Sequence, residues 1–321
     1  MKFTAQFIAF AAGALPAAIC VAQSFPAKPL RMLVGFLPGS TTDVIGRLLA
    51  QKMGEGLGQQ VVMDNRPGAG ANIAAELVAK APPDGYTMLI ANAGIAVSAS
   101  AYAKLNYSVA RDFVPVTQVS TTPHILIVHP SLPAKTVKEL ITFAKARPGQ
   151  LNYASAGMGN SDHIASALFC SMAGLDMTHV PYKGGSQAAT DVISGQVMMY
   201  FAGLPVGLPL AKAGKVKALA VTSARRAAVA PDVPTLAEAG VTGYEHTLWG
   251  MLLVPSATPR DVVARLNREA MKALESVDLR ERYTAMGVDP VGTSSENASA
   301  YLKSEIAKYA KVVKAIGLKM D

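Results

Sequence analysis

The chain is short of the residues that carry reactive chemistry. It has two cysteines in 321 residues, Cys20 and Cys170. Cys20 falls in the N-terminal segment described below, so only Cys170 remains for the body and no internal disulfide is expected. Cys170 lies in the apolar stretch "IASALFCSMAG" with no polarising neighbour, which reads as a packing thiol rather than a nucleophile. The five histidines, His124, His129, His163, His179 and His246, show neither H-x-x-x-H nor Cys/His spacing, so neither a metal nor a cofactor is expected. No paired carboxylates and no nucleophile–base pair stand out. "SDH" at 161–163 has the residue types of a catalytic triad, but three consecutive residues at a helix start do not converge on one point. The P-loop pattern G-x-x-x-x-G-K-[ST] is missing, which argues against nucleotide hydrolysis. Aromatics make up 6% of the chain and charged residues 16%, with a formal net charge of +8. The Lys and Arg residues are scattered and form no basic run, so nucleic acid is not an expected partner. A mildly basic body instead attracts small anions.

What is present is a large apolar fraction, 50%, rich in Ala and Gly, enough to bury a core in about two domains. The first residues, "MKFTAQFIAFAAGALPAAICVAQ", place one Lys before an apolar stretch and then small residues, the plan of a secretory signal peptide over residues 1–22 with cleavage after Ala22. A lipid anchor on Cys20 is disfavoured by the bulky Ile19. No later segment has the ~20 uninterrupted apolar residues of a membrane span.

The remainder alternates short apolar strands with helices. Strands are expected at 30–36, 59–65, 86–92 and 125–129, and helices at about 42–57, 72–80, from Val137, 259–275 and 296–316. Strands separated by helices point to parallel βαβ units. Ser40 and Asp43 are spaced as a capping box, as are Thr136 and Glu139, and Thr293 and Glu296. In the last helix Leu302, Ile306, Tyr309 and Val313 share one face, which should pack back on the first domain.

Four small-residue loops enter helices. The first is "FLPGSTTD", where Gly39 allows close backbone approach, Ser40, Thr41 and Thr42 add hydroxyls, and Asp43 reads as a cap. The second, "RPGAGAN", holds Ala69, Gly70 and Asn72; its Arg66 suits either a ligand carboxylate or a surface ion pair. The third, "SAGMGNSDH", offers Ser155, Gly157, Gly159, Asn160 and Ser161, and it lacks the third Gly of a dinucleotide fingerprint. His163 there reads as a packing residue. The fourth, "PYKGGSQ", adds Tyr182 as an aromatic wall, Lys183 as a solvent-facing charge, and Gly184 before another helix. Free N–H groups at a helix N-terminus hold anions, and ligands of open α/β sheets bind at the strands' C-terminal ends. Many neutral donors with little reactive chemistry describe a receptor for a small anion rather than an enzyme.

Five stretches in order, "PAKPLRMLVGFLPGSTTDVIGRLLAQKM", "LNYASAGMGNSDHIA", "HVPYKGGSQAATDVISGQV", "KALAVTSARR" and "LLVPSATPRDVVARLN", resemble the tripartite tricarboxylate transporter receptors, the Bug-type periplasmic solute receptors, along essentially the whole mature chain. The resemblance implies a type II periplasmic-binding-protein fold of two Rossmann-like α/β lobes, closing on a ligand at their hinge. Lobe one would span 25–123 plus about 253–321, and lobe two about 124–252. It implies a monomeric receptor that captures an organic carboxylate and delivers it to membrane permease subunits. A periplasmic sensor and a carboxylate-processing enzyme are the alternatives. Carried over by motif, Gly39–Asp43 and Ala69–Asn72 would hold the ligand carboxylate, and the second lobe would contribute Ser155–Ser161 and the Tyr182–Gly185 turn, with Gly184 in it. Two departures stand out. Ser40 replaces a common Gly, and Ala202-Gly203 stands where the family often has an Asp and a polar residue. The second departure implies a ligand without an amino group. Which carboxylate is bound is not legible.

Overall fold

The structure, a computed structural model, describes residues 25–320. The expected leader, its cleavage site and Cys20 lie outside the described residues. Among those described, no helix is long and apolar enough to cross a membrane.

The chain builds one sheet, crosses to a second, and returns. The first pass contains β1 (Leu30–Val34), α1 (Thr41–Leu57), β2 (Val61–Asn65), α2 (Asn72–Ala79), β3 (Thr87–Asn92), α3 (Gly94–Ala101) and β4 (Phe113–Thr122). After Pro123 come β5 (His124–Val128), α4 (Val137–Lys145), β6 (Asn152–Ser155), α5 (Ser161–Ala173), β7 (Thr178–Pro181), α6 (Gly185–Ile193), β8 (Met199–Gly203), α7 (Leu204–Lys212) and β9 (Lys217–Val221). The return supplies β10 (Leu248–Pro255), α8 (Arg260–Glu275), α9 (Val277–Ala285), β11 (Asp289–Pro290) and α10 (Ser295–Ala315). The first sheet has the order β11-β4-β10-β3-β1-β2 and the second β7-β6-β8-β5-β9.

Apolar spacing explains how the helices seat. In α1, Ile45, Leu49, Met53 and Leu57 recur on one buried stripe, and Gly58 closes the helix in a left-handed conformation at φ 67°. In α10, Leu302, Tyr309 and Val313 are buried against α3 and β4, so the last helix does pack on the first sheet. Trp249 of β10 donates its indole N–H to the buried carboxylate of Glu305 in α10, at 2.8 Å.

Three features differ from the sequence reading. The sheets are mixed rather than parallel, because β10 runs antiparallel between β3 and β4, and β5 runs antiparallel to β8 and β9. The return crossing falls before Leu248, five residues earlier than about 253, so all of β10 lies in the first sheet. Helix α3 and strand β4 carry no periodic signal. Six of the eight α3 residues are buried, which erases the amphipathic stripe. The polar Thr117, Gln118, Ser120 and Thr122 of β4 are buried too, hiding its alternation.

The crossings lie side by side. His124 donates its backbone N–H to Thr222 Oγ1 at 2.8 Å, Thr222 donates its own to the His124 carbonyl at 3.0 Å, and His246 donates to the Thr222 carbonyl at 2.9 Å. Hydrogen bonds therefore bind the connecting strands into a narrow strap between the two sheets.

Candidate functional site

Three helix N-termini meet in one cavity between the sheets. Its wall includes Ser40, Thr41 and Thr42 from the start of α1, Asn160, Ser161 and Asp162 from the start of α5, and Gly185 from the start of α6. Phe36, Asn92, His124, Ala156, Tyr200, Gly203 and Leu248 complete it. The backbone N–H groups of Thr41 and Thr42, of Ser161, and of Gly185 find no acceptor among the described residues. Each is an orphan donor of a helix's first turn, carrying the positive end of the macrodipole. No Lys or Arg side chain lines the cavity. Its free volume is about 20 Å³, room for about one water. A second void of about 10 Å³ adjoins it, lined by Gly70 and Asn72 of the second loop and sharing Asn92. A larger hollow of about 550 Å³, between the end of α1 and the start of β2, is open to solvent and gathers no helix N-terminus.

The loops hold their shape through buried carboxylates. Asp43 is 1% exposed; its carboxylate accepts the Gly39 N–H at 2.9 Å, Asn65 Nδ2 at 2.8 Å and Arg47 Nε at 2.9 Å. It caps the loop, but the box itself does not form: Asp43 takes the Gly39 N–H rather than that of Ser40, and the Ser40 hydroxyl donates to the Leu37 carbonyl at 2.7 Å instead of taking a helix N–H. Asp162 plays the matching part on α5, accepting Ala156 N–H, His163 N–H and Tyr200 Oη–H, each at 2.9 Å. Burial without a cation pushes its carboxyl up to about 6, against the pull of those donors.

Glycines set how closely the sheets approach. A Cβ on Gly203 would lie 2.2 Å from Thr41 Oγ1, one on Gly184 2.9 Å from the Leu37 nitrogen, and one on Gly70 2.3 Å from the Met158 carbonyl oxygen. Across the same seam Asn92 Nδ2 donates to Asn160 Oδ1 at 2.9 Å.

Of the fifteen residues singled out from sequence, Ser40, Thr41, Thr42, Asn160 and Ser161 line the main cavity, and Gly70 and Asn72 the smaller one. Gly157 and Gly184 pack at the seam, while Gly39, at φ 78°, faces Ser186. Asp43, Ala69, Ser155, Gly159 and Tyr182 are not brought to either cavity. The Ala69 carbonyl accepts Asn72 Nδ2 at 2.8 Å. Ser155 Oγ is 2.7 Å from His179 Nε2, and Gly159 sits under Met320. Tyr182 turns its hydroxyl to Asp191 at 2.7 Å, so its ring is not a cavity wall. Arg66 pairs with Asp64 at 2.9 Å on the surface and Lys183 is exposed. His163 stacks on His179 at 3.9 Å, and its depressed basicity, down to about 4, follows from burial. The Cys170 thiol packs in the core and is pushed up to about 12 by burial.

Sequence reasoning missed Asn92, His124, Asp162, Tyr200 and His246. Asn92 had a usable signal, a polar residue ending the apolar strand "YTMLIAN" at its C-terminal end. His246 had none: it lies 85 positions from Ser161, yet its Nε2 is 2.9 Å from Ser161 Oγ. A Ser–His contact thus exists where none stood out in the sequence. Its His is held neutral by burial, down to about 3, and no acid among the described residues hydrogen-bonds it.

A cleft between two α/β lobes, joined by a double crossing and walled by helix N-termini, defines a two-lobed binding protein. The chain belongs to the tripartite tricarboxylate transporter family receptors, whose model matches residues 45–318. It is 40% identical over 292 residues to the UPF0065 protein in the tcbD-tcbE intergenic region of Pseudomonas sp. (strain P51), covering 91% of this chain and 87% of that one. Among solved structures it is similar to R. palustris Rpa4515 with adipate, at 38% identity and a TM-score of 0.89 over 92% of this chain and 99% of that one. It is likewise similar to MatC from Rhodopseudomonas palustris with bound malate, at 32% identity and a TM-score of 0.87 over 90% and 100%. Family and fold make this chain a solute-binding receptor.

Proposed function

We propose that this receptor captures a small organic carboxylate in the periplasm and hands it, unchanged, to the membrane subunits of a secondary transporter, acting as a monomer. The observation that carries the reading is the convergence of three helix N-termini, from both sheets, on a cavity with no cationic side chain in its wall. Oriented N–H dipoles and hydroxyls bind an anion without the rigid fork of an Arg, and bridging waters let one frame take acids of different shape. The adipate and malate held by the two similar proteins support carboxylates as the class. We assign Ser40, Thr41, Thr42, Asn160 and Ser161 to direct contact, and Gly70 and Asn72 to the adjoining end. A cavity of about 20 Å³ is smaller than any such acid, so the lobes must part to admit one.

Of the Ser–His contacts, Ser161–His246 is the one whose Ser lines the cavity, and it gives a hydrolytic reading its specific support. Against it stand the full burial of Ser161 and the lack of a third group orienting the imidazole.

Thermal unfolding of the purified protein against mono-, di- and tricarboxylates, amino acids and aromatic acids tests the proposal. At 100 times its dissociation constant a ligand adds about 2.7 kcal/mol, a shift of several degrees. A shift with a carboxylate, recovered chemically intact, is expected. Turnover of the acid would establish an enzyme instead.

A further inference from the structure

Asp162 puts an acid in the wall of a cavity whose other groups suit an anion. It follows Ser161, whose free N–H is one of the cavity's donors. Its carboxylate is held among wall residues. Oδ2 accepts the Ala156 N–H and the Tyr200 hydroxyl, both from residues that line the same cavity, and Oδ1 accepts the His163 N–H, each at 2.9 Å. Asp162 is 3% exposed, so water screens it little.

No cation balances it. Its three donors are neutral, and no described Lys or Arg lines the cavity. The titratable groups of the surrounding elements do not supply one. Burial keeps the Tyr200 phenol of β8 protonated. On α5 His163 Nδ1 accepts the Gly159 N–H at 3.0 Å, so that nitrogen carries no proton, and the ring stacks on His179 of β7, next to Tyr153 of β6. His124 and His246, from the two crossings, are held neutral by burial. On α1 Asp43 is paired with Arg47, on α6 Asp191 accepts the Tyr182 hydroxyl, and on α10 Lys308 is paired with Glu305.

A ligand carboxylate on the Ser161 N–H would bring a second negative charge within one residue of Asp162, in a space of about 20 Å³. Two like charges so placed strongly disfavour double ionisation, and one of them takes up a proton. Asp162 is suited to be that one, since burial already raises its carboxyl to about 6 in the free protein.

Resting on the carboxylate reading above, we propose that the receptor binds its acid together with one proton, drawn from solvent and held on the Asp162 carboxyl group. The coupling is reciprocal: the bound acid makes Asp162 hold its proton to higher pH, and the proton strengthens binding of the acid. Affinity is then highest below about pH 6 and falls as pH rises through that value, levelling off above the value in the complex.

Titration calorimetry in buffers of different ionisation enthalpy counts the protons, with n-alkanoates of three to eight carbons, the matching α,ω-diacids and benzoate as probes. At pH 7 the wild-type protein should take up about 0.4 proton or more per acid bound, and its affinity should fall about fivefold or more from pH 6 to pH 8. In Asp162→Asn the uptake should disappear and the affinity should stay level across that range. Tyr200→Phe removes a donor to the ionised carboxylate, so the fall should move to higher pH. A merely structural role for Asp162 would change affinity equally at every pH and leave the uptake in place. Absence of uptake in the wild type overturns the proposal. So does uptake that survives Asp162→Asn, which would put the proton on an imidazole or on the acid itself. Should the Asn variant not fold, a fall left unmoved by Tyr200→Phe overturns it. Binding of none of these acids overturns the carboxylate reading itself and this one with it.

Discussion

The starts of α1 and α5 solve one problem in two ways. Each helix must present bare N–H groups to the cavity, so its capping residue, Ser40 or Asn160, leaves them free. Each then needs something else to hold its loop, and each uses a buried Asp reaching back to a loop N–H, Gly39 in one case and Ala156 in the other. They differ in what balances the charge. Asp43 has Arg47 at 2.9 Å, whereas Asp162 has only neutral donors and its carboxyl is raised to about 6. The same contrast extends to the surroundings. The four histidines with depressed basicity, His124, His163, His179 and His246, all lie between the outward and return crossings, on the Asp162 side. One side of the cleft is stabilised by paired charge and the other by groups kept neutral.

The largest consequence is in acid. A native His held neutral binds no proton where the unfolded chain does, so its contribution is intact above about pH 6.5 and is lost as pH falls toward its native value. For His163 that value is about 4, and for His179 and His246 about 3. Asp162 acts in the opposite direction: between its unfolded value near 3.9 and about 6 it is the native state that keeps the proton, which adds stability as pH falls. From His163, His179 and His246, three protons against one leave about two, or about 3 kcal/mol per pH unit near pH 5, and His124 acts in the same direction. Denaturant titrations from pH 8 to 4.5 should show this fall. Hydrogen exchange should show amides of β6, α5 and β7 losing protection at a higher pH than those of β1, α1 and β2. Equal loss on both sides would break the contrast.

The same substitution made in each Asp sharpens it. Asp43→Asn removes the partner of Arg47 and sets an amide against donors from Gly39 and Asn65. Arg47 is half exposed, so the ion pair itself counts for less than about 1 kcal/mol. The lost buried hydrogen bonds bring the total to about 2 kcal/mol. Asp162→Asn relieves an uncompensated buried charge while leaving one donor facing an amide N–H, so at pH 7.5 the two effects offset to within about 1 kcal/mol. Chemical denaturation of both variants at pH 7.5 and 5 checks this. Comparable losses at pH 7.5 would mean that Asp162 is stabilised as an anion.

The α1 side was far more legible in the sequence than the α5 side, for a physical reason. Gly39, Ser40, Thr41, Thr42 and Asp43 are contiguous, and a strand–loop–helix junction acts through its own backbone. The other side depends on partners brought from afar: Tyr200 to Asp162, His246 to Ser161, and His179 to Ser155. Such pairings follow from sheet order, which alternating strands and helices do not dictate; an antiparallel β10 inside an otherwise βαβ pattern left no local mark. Tyr182 shows the limit from the other direction. An aromatic in a Gly-rich loop suggested a ligand wall, but Asp191, one helix face away, captured its hydroxyl.

The seam between the sides gives the most direct view of closure. Gly203 has an ordinary φ of −58°, so its backbone tolerates alanine. The three atoms nearest the added Cβ all belong to Thr41 across the cleft, 2.2 Å to Oγ1 and 2.9 Å to Cβ and Cγ2. Gly203→Ala should therefore leave ligand-free stability nearly unchanged while preventing the two helix starts from reaching their present separation. Affinity for the acid giving the wild type its largest thermal shift should fall about a hundredfold, about 2.7 kcal/mol. X-ray scattering should give a larger radius of gyration for the variant with that acid than for the wild type with it. Thr41→Ala in the same background removes the 2.2 Å contact and should restore part of the affinity. Unchanged affinity and scattering in Gly203→Ala would mean that ligand is held with the lobes further apart than they stand here.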